Sequence, residues 1–179
     1  TDILRAFRPG ANSWMWMLLG RKIDRVLFAA TKADHLPASS HDRLEAILKE
    51  IVDEAVTRAE TEGAGVNALA LSALRATREA TAKQGGEILP CLRGTPIKGE
   101  RIGDVTFDGI AEAAIFPGDL PADPAAALNA ARHAKSASLE LVRFAPPKLT
   151  NTLSDGKPAA FPHIRLDRAL DFLISDYLA

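Results

Sequence analysis

Cysteine is almost absent from this chain, because Cys91 is the only one among 179 residues. A single cysteine cannot form an internal disulfide, so the chain suits a reducing compartment. Long apolar stretches are also absent, since the longest run, Trp14 to Leu19, is far shorter than the ~20 residues that a membrane span needs. No basic segment followed by an apolar one opens the sequence. We therefore predict a cytoplasmic location and no membrane span.

An excess of either charge is lacking as well, with 22 Lys and Arg residues against 23 Asp and Glu residues. The basic residues are scattered, so nothing favours nucleic acid as a partner. The four histidines do not have the spacing of metal ligands, and we predict no metal site. Hydrophobic residues make up 47% of the chain, which is ordinary for one globular domain with a small additional lobe.

A phosphate-binding loop is missing too. The pattern Gly-x-x-x-x-Gly-Lys-Ser/Thr, whose backbone N–H groups surround nucleotide phosphates, occurs nowhere in the sequence. We therefore predict no catalytic residue, and we expect this chain alone not to act as an enzyme. The chain opens at Thr1 without methionine, on a segment to Gly10 that resembles the end of an earlier element followed by a turn. We expect a fragment of a longer protein.

The best-defined pattern comes early in the chain and predicts strand, helix and strand. Asp24 to Ala30 is mostly apolar and predicts a buried strand. Ser39 and Asp42 have the spacing of a capping box, and an apolar stripe at steps of three and four follows as far as Ala59. Val66 to Leu71 predicts a second buried strand. The two strands of such a unit are expected to be parallel.

The remaining chain predicts a small antiparallel lobe and a closing helix. Gln84 to Glu87 and Lys98-Gly99 are candidate hairpin turns, and residues 76–82 are ambiguous between strand and helix. Further strands are predicted over 105–107, 113–116 and 139–144. Helices are predicted over 13–19 and, with an amphipathic pattern, over 164–178. The Ala- and Pro-rich stretch over 118–138 has no clear pattern, and 145–160 is predicted to be a loop.

Two loops follow the two predicted parallel strands. Thr31 to Leu36 comes after the first strand, and Ser72-Ala73 comes after the second. Parallel α/β sheets bind ligands at the carboxyl ends of their strands, so these loops can converge on one ligand. The candidate binding residues are Thr31, Lys32, Asp34, Ser72 and Ala73.

These residue types fit a guanine ring. The ionised carboxylate of Asp34 only accepts hydrogen bonds, and guanine offers a ring N–H and an exocyclic amino group side by side. Adenine has an acceptor in place of that ring N–H, so Asp34 disfavours adenine. The apolar stem of Lys32 can lie along the base, while Thr31 ties the loop. The backbone N–H of Ala73 can donate to the guanine carbonyl oxygen.

Other interpretations of the same residues stay open. Asp34 can simply cap the turn before the helix, with Lys32 in solvent and Ser72-Ala73 an ordinary strand end. The chain is then a regulatory or scaffolding domain without a nucleotide, whose working surface is the lobe over 75–144. ATP specificity is a third alternative. A solvated loop position explains His35 better than a ligand contact does.

Longer stretches of sequence go beyond a general base-reading pattern. They are Arg25 to Leu36, Ser40 to Ile47, Arg75 to Thr77, Gly86 to Pro90, Phe116 to Gly118 and Pro162 to Leu170. Together they resemble the bacterial YcjX-like family, and the resemblance covers nearly the whole chain. That family consists of P-loop nucleotide-binding proteins, described as Ras-like GTPases or predicted ATPases and linked with the stress response.

The resemblance implies that this chain lacks an N-terminal half carrying the phosphate loop, the magnesium ligands and the switch segments. It implies that the intact protein binds GTP or GDP with Mg²⁺ and hydrolyses GTP slowly. The base-reading positions match at Thr31, Lys32, Asp34, Ser72 and Ala73, although Thr31 stands where GTPases more often have Asn.

The implied fold is α/β, with a partial Ras-like parallel sheet and an inserted antiparallel β lobe. Residues 1–73 would then belong to the GTPase-like domain and 74–160 to the lobe. Residues 161–179 would form the final helix, packed back on the parallel sheet.

Overall fold

The structure, a computed structural model, describes residues 23–132, 139, 141–147 and 160–178. The helix predicted over 13–19 and most of the loop predicted over 145–160 lie outside the described residues. None of the helices within the described ranges is long and apolar enough to cross a membrane.

A parallel strand pair forms the centre of the fold. Strands β1 (Arg25–Ala30) and β2 (Gly65–Ala70) run in register, from Arg25 opposite Gly65 to Ala30 opposite Ala70. Helix α1 (His41–Thr61) connects them and packs against both strands. The predicted strand, helix and parallel strand are therefore confirmed.

The start of α1 differs from the prediction. The helix begins at His41, and Ser40 before it makes no side-chain capping bond, so the capping box at Ser39 and Asp42 is wrong. The Nε2 of His41 lies 2.9 Å from the carbonyl oxygen of Ala33 and 3.2 Å from that of Leu36. Because both partners are acceptors, Nε2 carries the proton and donates. Contacts with the preceding loop therefore set the entry into the helix.

A small antiparallel lobe follows β2. Strands β3 (Arg78–Gln84) and β4 (Glu87–Gly94) form a hairpin, so residues 78–82 of the ambiguous 76–82 segment are strand. Its turn uses Gly85 and Gly86 at φ of 61° and 90°, a conformation that side chains disfavour. The short strands β5 (Arg101–Ile102) and β6 (Val105–Thr106) pair with each other, and β7 (Ala113–Ile115) pairs with β4. The fold is thus α/β with a separate small antiparallel sheet, as predicted.

The predicted strand over 139–144 is wrong for the described residues 141–144. They contribute only an isolated bridge, between Phe144 and Pro96. The backbone N–H of Arg143 donates to the Glu100 carboxylate at 2.9 Å, and the carbonyl oxygen of Ile97 accepts the N–H of Glu100 at 3.1 Å. These two groups are therefore not available to extend a hydrogen-bonded ladder beyond the bridge.

Helix α2 (Pro124–Arg132) corrects the reading of 118–138 as unpatterned. The Oδ1 of Asp123 accepts a hydrogen bond from the N–H of Ala125 at 3.0 Å. An Asp before a Pro at the first helical position is a helix-start signal, and the sequence contains it. The turn at Lys98-Gly99 is present, but it leads into β5 and is not the turn of a hairpin as predicted. The β5–β6 hairpin turns between Ile102 and Val105.

Helix α3 (Leu166–Ile174) packs on the parallel pair and is followed by a 3₁₀ turn, Ser175–Tyr177. Its Ala169 is buried against Leu69 and Leu71, with Leu27 beside them. Arg25 of β1 donates to the carbonyl oxygen of Phe172 at 2.5 Å. Apolar burial and a polar contact therefore hold α3 on the sheet, whereas the domain boundaries stay a prediction.

Arg165 links the start of α3 to α1 and β2. It donates to Asp42 at 2.9 Å and also to Glu45, and the hydrogen bond with Asp42 raises the pKa of its guanidinium. The same Oε1 of Glu45 accepts the backbone N–H of Ala70 at 3.0 Å. Arg165 has a φ of 54°, which is unusual for a residue with a side chain, and these ion pairs are among the contacts that hold it in this conformation.

We expect Arg165→Ala to lower the free energy of unfolding by about 1–2 kcal/mol, because Glu45 loses its counter-ion while still bound to the β2 backbone. Urea denaturation of the full-length protein measures this effect. The control is Arg168→Ala at an exposed position of α3, which should change stability by less than about 0.5 kcal/mol. Equal effects of the two variants would contradict a structural role for the Arg165 ion pairs.

Candidate functional site

A cavity of about 500 Å³ opens at the carboxyl ends of β1 and β2. All five predicted site residues line it, namely Thr31, Lys32, Asp34, Ser72 and Ala73. The neighbouring Leu71, Leu74 and Ala76 belong to the segment after β2, and His35 comes from the loop after β1. The far side is lined by Ile97, Arg143, Phe144 and Pro146.

The loop after β1 is fastened to the end of β2 by backbone hydrogen bonds. The N–H of Leu71 donates to Ala30 at 2.9 Å, and the N–H of Ala33 donates back to Leu71 at 3.1 Å. Between them Lys32 takes a left-handed conformation with a φ of 61°. Such strained positions occur often at binding sites, where the surrounding structure fixes them. The loop is therefore held firmly, with the Thr31 and Lys32 side chains exposed at the cavity.

Asp34 is buried, with 4% of its surface exposed. Its Oδ2 accepts the N–H of Ala76 at 3.0 Å, and its carbonyl oxygen accepts the hydroxyl of Thr77 at 2.5 Å. Among the described residues, hydrogen bonds to this carboxylate reach Oδ2 alone. Asp34 thus connects the cavity to the entry of the lobe instead of capping the turn before α1.

Ser72 and Ala73 play different parts. The backbone of Ser72 exchanges two hydrogen bonds with Ile164, at 3.0 and 2.9 Å, and its hydroxyl donates to Leu74 at 3.0 Å. The buried Ser72 therefore shapes the segment and joins it to the chain before α3. Ala73 is exposed, and its N–H has no acceptor among the described residues.

His35 packs directly against Phe144, and both residues line the cavity. The two ring centroids are 5.6 Å apart, with an angle of 79° between the ring planes. Burial lowers the pKa of His35, an effect that the nearby Asp34 partly opposes. The expectation of a solvated loop position is therefore wrong, because the half-buried imidazole forms part of the cavity wall.

Arg143 is held at the cavity by Glu100. The Oε1 of Glu100 lies 2.8 Å from Nε and 2.6 Å from Nη2 of Arg143. Its Oε2 accepts the backbone N–H of Arg143 at 2.9 Å. That backbone hydrogen bond, followed by the bond from the guanidinium, lowers the pKa of Glu100. Sequence reasoning missed these residues, because nothing local in residues 100 or 143 indicates their pairing.

Within the described residues, no group of three or more His, Cys, Asp or Glu side chains is placed to hold a metal ion. The magnesium of the intact protein stays an expectation from the resemblance.

Parallel strands with a cavity at their carboxyl edge and a helix packed on the sheet define an α/β domain, a class in which ligands bind at that edge. The chain belongs to the YcjX-like family, DUF463, whose family model matches residues 1–178. It is 32% identical over 178 residues to the Ras-like GTPase YcjX of Escherichia coli (strain K12), covering 99% of this chain and 34% of that protein.

A second relative gives a similar result. Identity to the Ras-like GTPase YcjX of Shewanella oneidensis (strain MR-1) is 30% over 177 residues, covering 98% of this chain and 33% of that protein. The chain therefore spans about a third of the length of the curated relatives that it matches.

The lowered pKa of Glu100 predicts a pH dependence of stability. A carboxyl whose pKa is lower in the folded state stabilises the fold above its ordinary pKa, and this contribution is lost as pH falls through the lowered value. We expect Glu100→Gln to reduce the decrease in thermal midpoint between pH 6 and pH 3, measured by circular dichroism. The control is Glu87→Gln at an exposed position of β4. Identical pH curves for wild type and Glu100→Gln would contradict this prediction.

Proposed function

We propose that the cavity binds the guanine base of GTP or GDP, with the phosphates held by another part of the longer protein. The observation that carries the proposal is the placement of Asp34 at the cavity, next to the Ser72-Ala73 segment. The cavity volume of about 500 Å³ falls within the range of small-ligand sites, roughly 300–1,000 Å³.

The chemistry of the cavity supports binding of a purine that has two adjacent hydrogen-bond donors on one edge. Asp34 presents a desolvated carboxylate, and a buried acceptor is costly unless a donor meets it. Guanine provides two adjacent donors, while adenine would place its ring acceptor against the carboxylate. The exposed N–H of Ala73 is available for the carbonyl oxygen of guanine. The stem of Lys32 is available for the face of the base.

Within this proposal Ser72 is a positioning residue. Its hydroxyl and backbone are engaged with Leu74 and Ile164, so it fixes the path of the segment that presents Ala73. Thr31 lies at the exposed end of β1, where it lines the cavity and contributes a hydroxyl.

The reaction of the intact protein is part of the same proposal. The two relatives are named Ras-like GTPases, and this supports GTP binding and slow GTP hydrolysis with Mg²⁺ for the full-length protein. Phosphoryl transfer depends mainly on groups placed around the phosphates. The described residues would choose the base and leave catalysis to that other part. The association with stress, like a cytoplasmic location, remains an expectation.

A second candidate function is a scaffolding domain without nucleotide. The bonds from Asp34 to Ala76 and Thr77 favour it, because they give this buried carboxylate a structural task. The two candidates differ in base selectivity, which a structural Asp34 would not influence.

We expect Asp34→Asn in the full-length protein to weaken GDP binding by about 100-fold, since charge-assisted bonds to both guanine donors are lost. Xanthosine diphosphate should gain affinity, because the amide of Asn can donate to the xanthine oxygen that replaces the guanine amino group. Isothermal titration with GDP, ADP and xanthosine diphosphate measures the ranking.

The control for this experiment is Thr77→Val, which removes the hydroxyl bond to the Asp34 backbone and keeps the carboxylate. It should lower the thermal midpoint and leave the ranking of the three nucleotides unchanged. Absence of nucleotide binding in the wild type, or a ranking unchanged by Asp34→Asn, would reject guanine recognition and leave the scaffolding alternative.

A further inference from the structure

The far wall of the cavity comes from the antiparallel lobe and not from the parallel pair. It consists of Ile97 and of Arg143, Phe144 and Pro146, which we call the lobe wall. The predicted base-reading residues occupy the other side. A ligand in this cavity would therefore contact both parts of the fold.

The lobe wall is a built structure. The N–H of Ile97 donates to the carbonyl oxygen of Arg143 at 2.8 Å, and the N–H of Ala145 donates to Thr95 at 2.8 Å. The ring of Phe144 lies so close to Gly94 that a Cβ there would be 2.8 Å from Cδ1 of the ring. Gly94 therefore gives Phe144 the space to pack beside the cavity. These two backbone hydrogen bonds, to Ile97 and Thr95, fix the position of the Arg143 backbone.

The guanidinium of Arg143 is oriented, and part of it is available. Glu100 engages Nε and Nη2 and also binds the backbone N–H of the same residue. Among the described residues Nη1 has no acceptor. Because 69% of the side chain is exposed, a ligand can reach these donors. Arg143 is thus a positive donor group at the cavity, held in place by the carboxylate of Glu100, which does not line the cavity.

The two sides of the cavity match two different edges of a guanine ring. Asp34 can accept from the ring N–H and the amino group, which lie on one edge of the base. The adjoining edge carries two acceptors, O6 and N7, and an arginine guanidinium matches this pair well. Thr31 supplies a single hydroxyl where an Asn would supply two amide donors. Arg143, the cation on the lobe wall, can supply a further donor for N7.

We infer that Arg143 is a specificity-determining residue that donates to N7 of the bound guanine, so that the lobe supplies half of the base site. This inference rests on the proposed function. Adenine also has N7, but its amino group replaces O6 and would face the guanidinium donor to donor. Arg143 would therefore favour guanine independently of Asp34. Glu100 would act as its positioning residue.

The test uses 7-deaza-GDP, in which a C–H group replaces N7. We expect the full-length wild-type protein to bind GDP about 10-fold more tightly than 7-deaza-GDP, which corresponds to one lost hydrogen bond to a charged donor. Arg143→Met keeps much of the apolar stem and removes the donors. It should bind the two nucleotides equally, with GDP affinity reduced about 10-fold.

The matched control is Arg93→Met, at an exposed position of β4 that does not line the cavity. It should keep the 10-fold preference for GDP, while Glu100→Gln should reduce the preference to an intermediate value. Equal binding of GDP and 7-deaza-GDP by the wild type, or a preference that survives in Arg143→Met, would overturn the role of Arg143 and leave guanine recognition by Asp34 intact. No binding of either nucleotide by the wild type would refute the proposed function itself, and this inference with it.

Discussion

The parallel pairing of β1 with β2 is the constraint on which the candidate site depends. Its last backbone bonds, from Leu71 to Ala30 and from Ala33 to Leu71, continue the ladder beyond the strands. They bring the loop after β1 against the segment after β2, joining residues that are 38 and 41 positions apart in sequence. The left-handed Lys32 lies between these bonds and is fixed by them. A shift of register by one residue would separate Asp34 from Ala73 and reverse the side-chain faces of the shifted strand.

Asp34 shows why a local motif can describe a site without describing its environment. The sequence places a carboxylate after a buried strand, and the guanine interpretation needs only that. The structure adds that Oδ2 binds Ala76 and that the Asp34 backbone binds Thr77. A carboxylate oxygen has two lone pairs, and the bond to Ala76 therefore leaves capacity for ligand donors. Asp34 therefore has enough acceptor sites to bind Ala76 and the two guanine donors at the same time.

The parts of the fold that the sequence predicts are those set by local periodicity. Apolar runs predicted β1 and β2, and the spaced apolar stripe predicted α1, because burial imposes a repeat on each element. The Gly85-Gly86 turn was predictable from backbone sterics. The lobe wall was not, since Arg143 reaches the cavity through pairing with residues 95–97 and Glu100. The strand predicted over 139–144 is wrong for the described residues 141–144, because the backbone N–H of Arg143 donates to the Glu100 side chain and not to a neighbouring strand. The local sequence does not indicate that contact.

Asp34 lines the cavity and is also hydrogen-bonded to Ala76 and Thr77 at the entry of the lobe. A ligand bound to Asp34 would therefore act on a residue that holds the lobe. The lobe meets the cavity twice, at its entry through Ala76 and at the lobe wall through Arg143. A base bound between Asp34 and Arg143 would therefore bridge the two parts and favour the lobe position in which both contacts exist. A partner that holds the lobe in that position would raise the affinity for the nucleotide. By thermodynamic linkage, the nucleotide would raise the affinity for that partner by the same factor. The lobe would then report the occupancy of the base site to the rest of the protein.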